Sequence, residues 1–309
     1  MAQSLPMRHL LLAAALALSC TLPLPAWQAA APAVAAAPGA PIAPIAQGDA
    51  AWTRRGVGRE GQQAGRPQPG PVGEAIAAYE RALKAEPGNL EASWKLLRAL
   101  HFQGDYLARS SAEKQKTFAR GRDVAEAALD RIGQRAGGRQ RLDGLAPRDA
   151  AKAITGIPEA RPIHLWAAVH WGLWGDSFGR LAAARQGGGD RVRRSAEILL
   201  ALDETYEEAA GHRILGRLHT LAPKVPLVTG WVDRGLAVSS LRRAVALAPE
   251  NFLNHLYLAE ALLEHQPDRK AEARQILQRL IARRPAPGRV VEDERALADA
   301  RALLAKSGQ

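Results

Sequence analysis

The sequence predicts an all-α protein built from paired helices, and three observations carry that prediction. From Pro71 onward, apolar residues recur at spacings of three and four, the period of a helix with one buried face. No stretch sustains the alternation of a half-buried strand, and the breaks fall at Pro, Gly and Asp. A pattern of apolar and small residues closed by proline also returns along the chain. It occurs as Ala75, Tyr79, Ala82 and Pro87, then as Ala237, Leu241, Ala244 and Pro249, and again as Ala273, Leu277, Leu280 and Pro285.

The N-terminus stands apart from this body. In "MAQSLPMRHLLLAAALALSC" the cationic Arg8 precedes an unbroken Leu/Ala run from Leu10 to Leu18, and small residues and prolines follow, as in a secretory signal peptide. The run is well short of the roughly 20 residues that span hydrocarbon, so export is expected and a transmembrane segment is not. Ala31-Pro32-Ala33 fits the cleavage pattern best, which makes residues 1–33 the signal peptide and the mature protein periplasmic or secreted. Cys20, the single cysteine, also lies where a lipoprotein cysteine would lie. "ALSC" departs from that signal at Ala17 and Leu18, leaving a lipid anchor as the alternative. Residues 34–70, Ala/Pro-rich and then "GREGQQAGRPQPGP", have too little apolar periodicity to pack and are expected to form a flexible linker.

The helical domain is expected over 71–309. "AIAAYERALKAEPGN" reads as a second helix of a pair, and "GNLEASWKLLRALHFQGDY" as the first helix of the next. A long helix is expected over 113–132, followed by a Gly/Arg loop over 133–146 where a proline turn would be regular. "RPIHLWAAVHWGLWGD" begins a helix with Pro162 in its first turn, a position that proline favours. "SFGRLAAARQGGGD" gives a short helix with Asp176 or Ser177 as its N-cap. Two further helices meet near Thr205, and "AVSSLRRAVALAPEN" with "ENFLNHLYLAEALLE" restores the regular pair.

Small residues at these spacings let two helices approach closely, and the proline stops the second helix. The pattern resembles the tetratricopeptide repeat. Pro249 and Pro285 lie 36 residues apart, and "QPDRKAE" holds the excess over the regular repeat in its turn. The predicted fold is therefore a tetratricopeptide-repeat-like helical solenoid with degenerate central repeats. The order of segments is similar to one family in particular. "ARGRDVAEAALD" precedes the Trp-rich helix ending "WGLWGD". "AEILLALDETYEEAAGHRILGRLHTLAPKVP" and "DRGLAVSSLRRAVALAPENFLNHLYLAEALL" follow. Over about residues 72–285 this resembles the T-component family of TRAP transporters, secreted or lipid-anchored helical proteins. The resemblance implies a non-catalytic accessory of a solute transporter that docks with a periplasmic solute-binding protein. The segment "KVPLVTGWVDRG" around Trp231 departs from the pattern as an insertion.

Charge and motifs narrow the function classes. The chain carries 42 Lys+Arg against 31 Asp+Glu, for a net charge of +11, but the basic pairs are scattered and interleaved with acids such as Glu197, Asp203 and Glu204. A nucleic-acid reader would concentrate them on one face, so no nucleic-acid partner is expected. His164 and His170, and His212 and His219, are six and seven residues apart, not the three to five of a helical metal pair, so no metal or other cofactor is expected. "GDSF" at 175–178 follows a helix, not a strand, and no histidine has an aspartate three residues before it, so a serine hydrolase is not indicated. No phosphate-binding glycine motif is present, and the chain is expected not to be an enzyme.

The remaining signal is aromatic. "WAAVHWGLWGD" places Trp166, Trp171 and Trp174 within nine positions of a chain that is 5% aromatic. On a helical wheel Trp166, Val169, His170, Leu173 and Trp174 form one stripe, and Ala168, Gly172 and Gly175 a ridge of small residues suited to a neighbouring helix. Two readings stand at this point. The tryptophans are core, or the stripe lines a concave pocket with His170 as its polar group. On the second reading Trp166, His170 and Trp174, with His212 and Trp231, contact a protein or peptide partner or a small hydrophobic ligand.

Overall fold

The computed structural model describes residues 43–57 and 67–308. The expected signal peptide 1–33, Cys20 and the cleavage site lie outside those residues. Among the described residues the fold is all-helical, with no strand, and no helix is long and apolar enough to cross a membrane.

Paired helices run through the chain in order. They begin with α1 (Pro44–Thr53) and α2 (Pro69–Ala85), then α3 (Leu90–Phe102) and, after a π-turn at Gln103–Leu107, α4 (Ser111–Arg135). The short α5 (Arg139–Gly144) and α6 (Pro147–Ile154) lead to α7 (Ala160–Phe178). The equally short α8 (Arg180–Arg185) leads to α9 (Gly188–Leu202). The regular alternation resumes with α10 (Tyr206–Leu221), α11 (Arg234–Leu247), α12 (Phe252–His265), α13 (Lys270–Ile281) and α14 (Val290–Lys306). Successive helices pack as pairs, α3 on α4, α7 on α9, α10 on α11 and α12 on α13, while α12 also touches α10 on one flank and α14 on the other. That is the helical-repeat arrangement, in which first helices share an inner face and second helices an outer one.

Local chemistry explains the regular ends. Asn89 and Asn251 cap α3 and α12 by accepting from Ala92 N and Asn254 N at 2.8 and 3.0 Å, each two residues after a proline that closes the preceding helix. The repeat positions are core: Ala75, Tyr79, Ala237, Leu241, Ala244, Ala273 and Leu277 have no exposure. The middle is irregular for a visible reason. Instead of a proline turn, α4 ends at Gly137 and Gly138, both at positive φ, and α5 and α6 fill the gap before α7 starts.

Three expectations are corrected. The segment 34–70 is not a linker throughout, because residues 44–53 form α1 and pack on α2. A Cβ at Gly48 would collide with the Tyr79 ring, so the missing side chain is what lets that ring lie against α1, and the Tyr79 hydroxyl donates to Asp49 Oδ1 at 2.9 Å. The 133–146 loop contains α5. Asp176 and Ser177 are not an N-cap: α7 continues to Phe178, and Gly179, at φ +104, turns the chain into α8.

The first and last helices meet. Arg55, just after α1, donates from Nε to Glu292 Oε1 of α14 at 2.9 Å and from Nη2 to the Gly288 carbonyl, and Val291 packs in the same core as Ala51 and Tyr79. The row of inner helices thereby closes around a central space.

Candidate functional site

The central space is a cavity of about 740 Å³. One wall is apolar and comes from α7, α9 and α10, with Leu165, Trp166, Val169, Leu173, Val192, Ile214 and Leu218. The facing wall comes from the π-turn and from α10, α12 and α14, with Asp105, Arg217, Tyr257, Glu260, Arg295 and Asp299. Most of its charges are satisfied within the protein. Arg217 pairs with Glu260 and lies 4.3 Å from the Tyr257 ring centre, while Arg295 Nε donates to Asp299 Oδ1 at 3.2 Å. Glu292 is held by Arg55, and Asp176 accepts from Arg180 at 2.9 Å at one rim.

An unusual turn shapes the polar side. Glu207, Glu208 and Ala209 enter α10 in the left-handed region, at φ 46, 58 and 62. Each such residue without glycine costs about 1–2 kcal/mol, so the turn must be held by its surroundings. Arg213 donates to the Glu207 and Glu208 carbonyls at 3.3 and 3.0 Å, Asn254 donates to the latter at 3.2 Å, and the Glu208 carboxylate accepts from Asn251 and Arg289. The turn aims Glu207 at the cavity. Burial lowers the pKa of Arg213, and the Glu208 and Glu207 charges oppose that shift. Burial likewise lowers His101, whose ring lies 5.2 Å from that of Trp166.

The predicted site residues are divided by this geometry. Trp166 lines the cavity, together with Val169 and Leu173 of the same stripe. His170 does not. It is fully buried where α7 meets α3 and α4: its Nε2 donates to the Leu97 carbonyl at 2.9 Å and a Cβ at Gly121 of α4 would overlap the ring. A carbonyl only accepts, so Nε2 carries the proton and Nδ1 is a buried acceptor without a hydrogen-bond partner. Burial pushes the His170 pKa down to about 3. Trp174 also belongs to the packing. It is 5% exposed, stacks on Phe178 at 5.1 Å, meets Trp171 edge-on at 5.7 Å and lies under the Arg122 guanidinium at 4.8 Å. A helix packed on one side and open on the other splits a stripe of this width between core and cavity.

The ridge of small residues, Ala168, Gly172 and Gly175, lines the cavity. Gly175 also packs so closely on α8 that a Cβ would come within 2.9 Å of Ala183, whereas a Cβ at Gly172 would meet nothing. His212 lies outside the cavity, with Nε2 3.4 Å from Glu204 Oε2, and the other Glu204 oxygen accepts from Arg243 at 2.8 Å. Trp231 sits at the rim without lining the space. Its ring meets His219 edge-on at 5.4 Å and lies under Arg193 at 4.7 Å. Trp171, expected at the edge of the stripe, is buried, with its indole N–H donating to Glu126 Oε1 at 2.7 Å.

Sequence reasoning missed the polar wall. Its signal was present as a helical stripe, Glu292, Arg295, Asp299 and Lys306, on the side of α14 that faces inward. Among the described residues no group of three His, Cys, Asp or Glu side chains could hold a metal ion. No protein-family model matches the chain, and no curated protein matches it in sequence.

Proposed function

We propose that the protein is a non-catalytic, exported binding protein of the tetratricopeptide-repeat type whose central cavity holds a small, largely apolar ligand. The observation that carries this reading is the two-faced cavity, apolar along α7, α9 and α10 and lined opposite by charges of which most are paired within the protein. A strongly ionic ligand would gain little from a wall whose charges are mostly paired, whereas an elongated apolar molecule gains by leaving water along the opposite wall. The resemblance to the T-component family of TRAP transporters supports placing this ligand in a hand-over with a periplasmic solute-binding protein.

Titration with a neutral amphiphilic fluorophore, N-phenyl-1-naphthylamine, tests the cavity. Saturable binding is expected, lost in Leu173→Glu and Ile214→Glu, which put a charge into the apolar wall, and retained in His170→Ala, whose ring lies behind it. Binding that ignores both glutamates would end the proposal. A pull-down from periplasm tests the second half. Recovery of a solute-binding protein supports the transport role, and recovery of envelope enzymes instead points to a scaffold unrelated to transport.

A further inference from the structure

The loop 222–233 joins α10 to α11 and is the insertion that interrupts the repeat pattern. It is braced throughout. Thr229 Oγ1 accepts from Val225 N at 2.9 Å and donates to the Pro223 carbonyl, and the backbone N–H groups of Val228 and Thr229 return to the Val225 carbonyl at 3.2 and 2.8 Å. At the base of the loop, Asp233 N donates to His219 Nδ1 at 3.0 Å, and Arg234 holds the carbonyls of His219, Thr220 and Ala222.

What this bracing holds out into water is Leu227. The residue is 106% exposed and stands at φ +66, with Val228 beside it 39% exposed. A leucine in the left-handed region is unfavourable, and one left in water recovers nothing by burial, so folding alone accounts for neither its backbone nor its side chain. Phe178 and Leu181, 43% and 51% exposed, flank the junction of α7 and α8. That junction is tied to the end of α10, where the loop begins, by Arg180 Nη1, which donates to the Leu221 carbonyl at 3.3 Å. Segments 176–194 and 222–236 together hold seven Arg and Lys; Arg180, Arg191, Arg193 and Arg194 pair with Asp176, Glu126, Asp190 and Asp143, and Arg185 and Lys224 stand exposed beside them.

We infer that this rim docks on an anionic lipid bilayer, with Leu227 and Val228 entering the headgroup boundary and Arg185 and Lys224 lying against the lipid phosphates. A protein partner fits the observations less well. The apolar part is a projecting two-residue tip, while a stable protein interface needs about 1,000 Å² of complementary surface. A bilayer accepts a small apolar wedge and a positive field with no matching shape. The inference rests on the loop and its charges and does not require a ligand in the cavity.

A site-resolved fluorescence experiment on the full chain tests it. With Cys20→Ser as background, Leu227→Cys carries an environment-sensitive probe, and Lys152→Cys on α6, distant in sequence and exposed, carries the same probe as reference. Phosphatidylglycerol-rich vesicles should shift the emission at 227 to the blue and raise it several-fold, with no change at 152. Phosphatidylcholine vesicles should do much less. Reversing Arg185 and Lys224 to Glu should weaken vesicle binding by at least about tenfold, since each basic residue at such a surface contributes on the order of a kilocalorie. An unchanged probe at 227, an equal response at 152, or binding indifferent to the charge reversal would each overturn the inference.

Discussion

Acid should unfold this protein through two histidines that carry no charge in the fold. His164 is 4% exposed, with neither ring nitrogen hydrogen-bonded, and His170 is wholly buried with Nδ1 unpartnered. Burial, with Arg139 and Arg194 nearby, pushes His164 down to about 3, and burial, with His101 nearby, pushes His170 to the same value against the opposing Leu97 hydrogen bond. The unfolded chain binds a proton on each below about pH 6.5, and the folded chain does not until about pH 3. Their contribution to stability is therefore complete above pH 6.5 and is lost progressively as the pH falls towards 3. At about pH 5 each costs about 2 kcal/mol relative to neutral pH, at about 1.4 kcal/mol per pH unit. That magnitude depends on the unfolded pKa and only requires the folded one to lie well below 5. Denaturant unfolding followed by circular dichroism at about pH 7 and about pH 5 measures it directly. His164→Leu and His170→Leu should each remove about 2 kcal/mol of the pH difference. His219 and His255, also lowered by burial, are unchanged in both variants and so cancel from the comparison, while His101, which interacts with His170, cancels only for His164→Leu. A His164→Leu protein that keeps the full pH dependence of the parent would refute the argument for that residue.

Three stability predictions accompany it. Trp174→Ala should cost about 3–5 kcal/mol, the range for emptying a large aromatic site, while leaving fluorophore binding in the cavity measurable below the melting transition; a loss under about 1 kcal/mol would mean the ring is not core. Ala244→Leu should cost about 1–3 kcal/mol and lower Tm cooperatively, because the residue has no exposed surface where α11 packs. Melting like the parent would contradict the repeat packing there. Gly121→Ala should also cost about 1–3 kcal/mol, since its Cβ meets the His170 ring, and His170→Ala in the same chain should restore part of the loss. Independent, additive effects of the two changes would separate the residues.

Helix positions and the repeat were legible in the sequence because both are local or nearly so. A period of three and four and a small or apolar residue at a fixed offset before a proline act within one or two helices, and Ala75, Ala244 and Leu277 all serve as that logic requires. The helix α1 escaped because its own residues carry little apolar signal. It folds where Tyr79 of α2 presses on Gly48, so the burial is supplied by the partner. Repeat logic could have found it, since α2 reads as a second helix and needs a first. The Trp-rich helix shows the same limit at the candidate site. Its sequence establishes that most of its surface is apolar, but α4 takes His170 and Trp174 while the cavity takes Trp166, Val169 and Leu173. Only the placement of neighbouring helices decides between those fates, because the apolar period marks a face without saying whether a helix or an open space lies against it. The polar wall required tertiary structure for a further reason. Arg55 and Glu292 are 237 residues apart, and they face each other only because the last helix returns to the first.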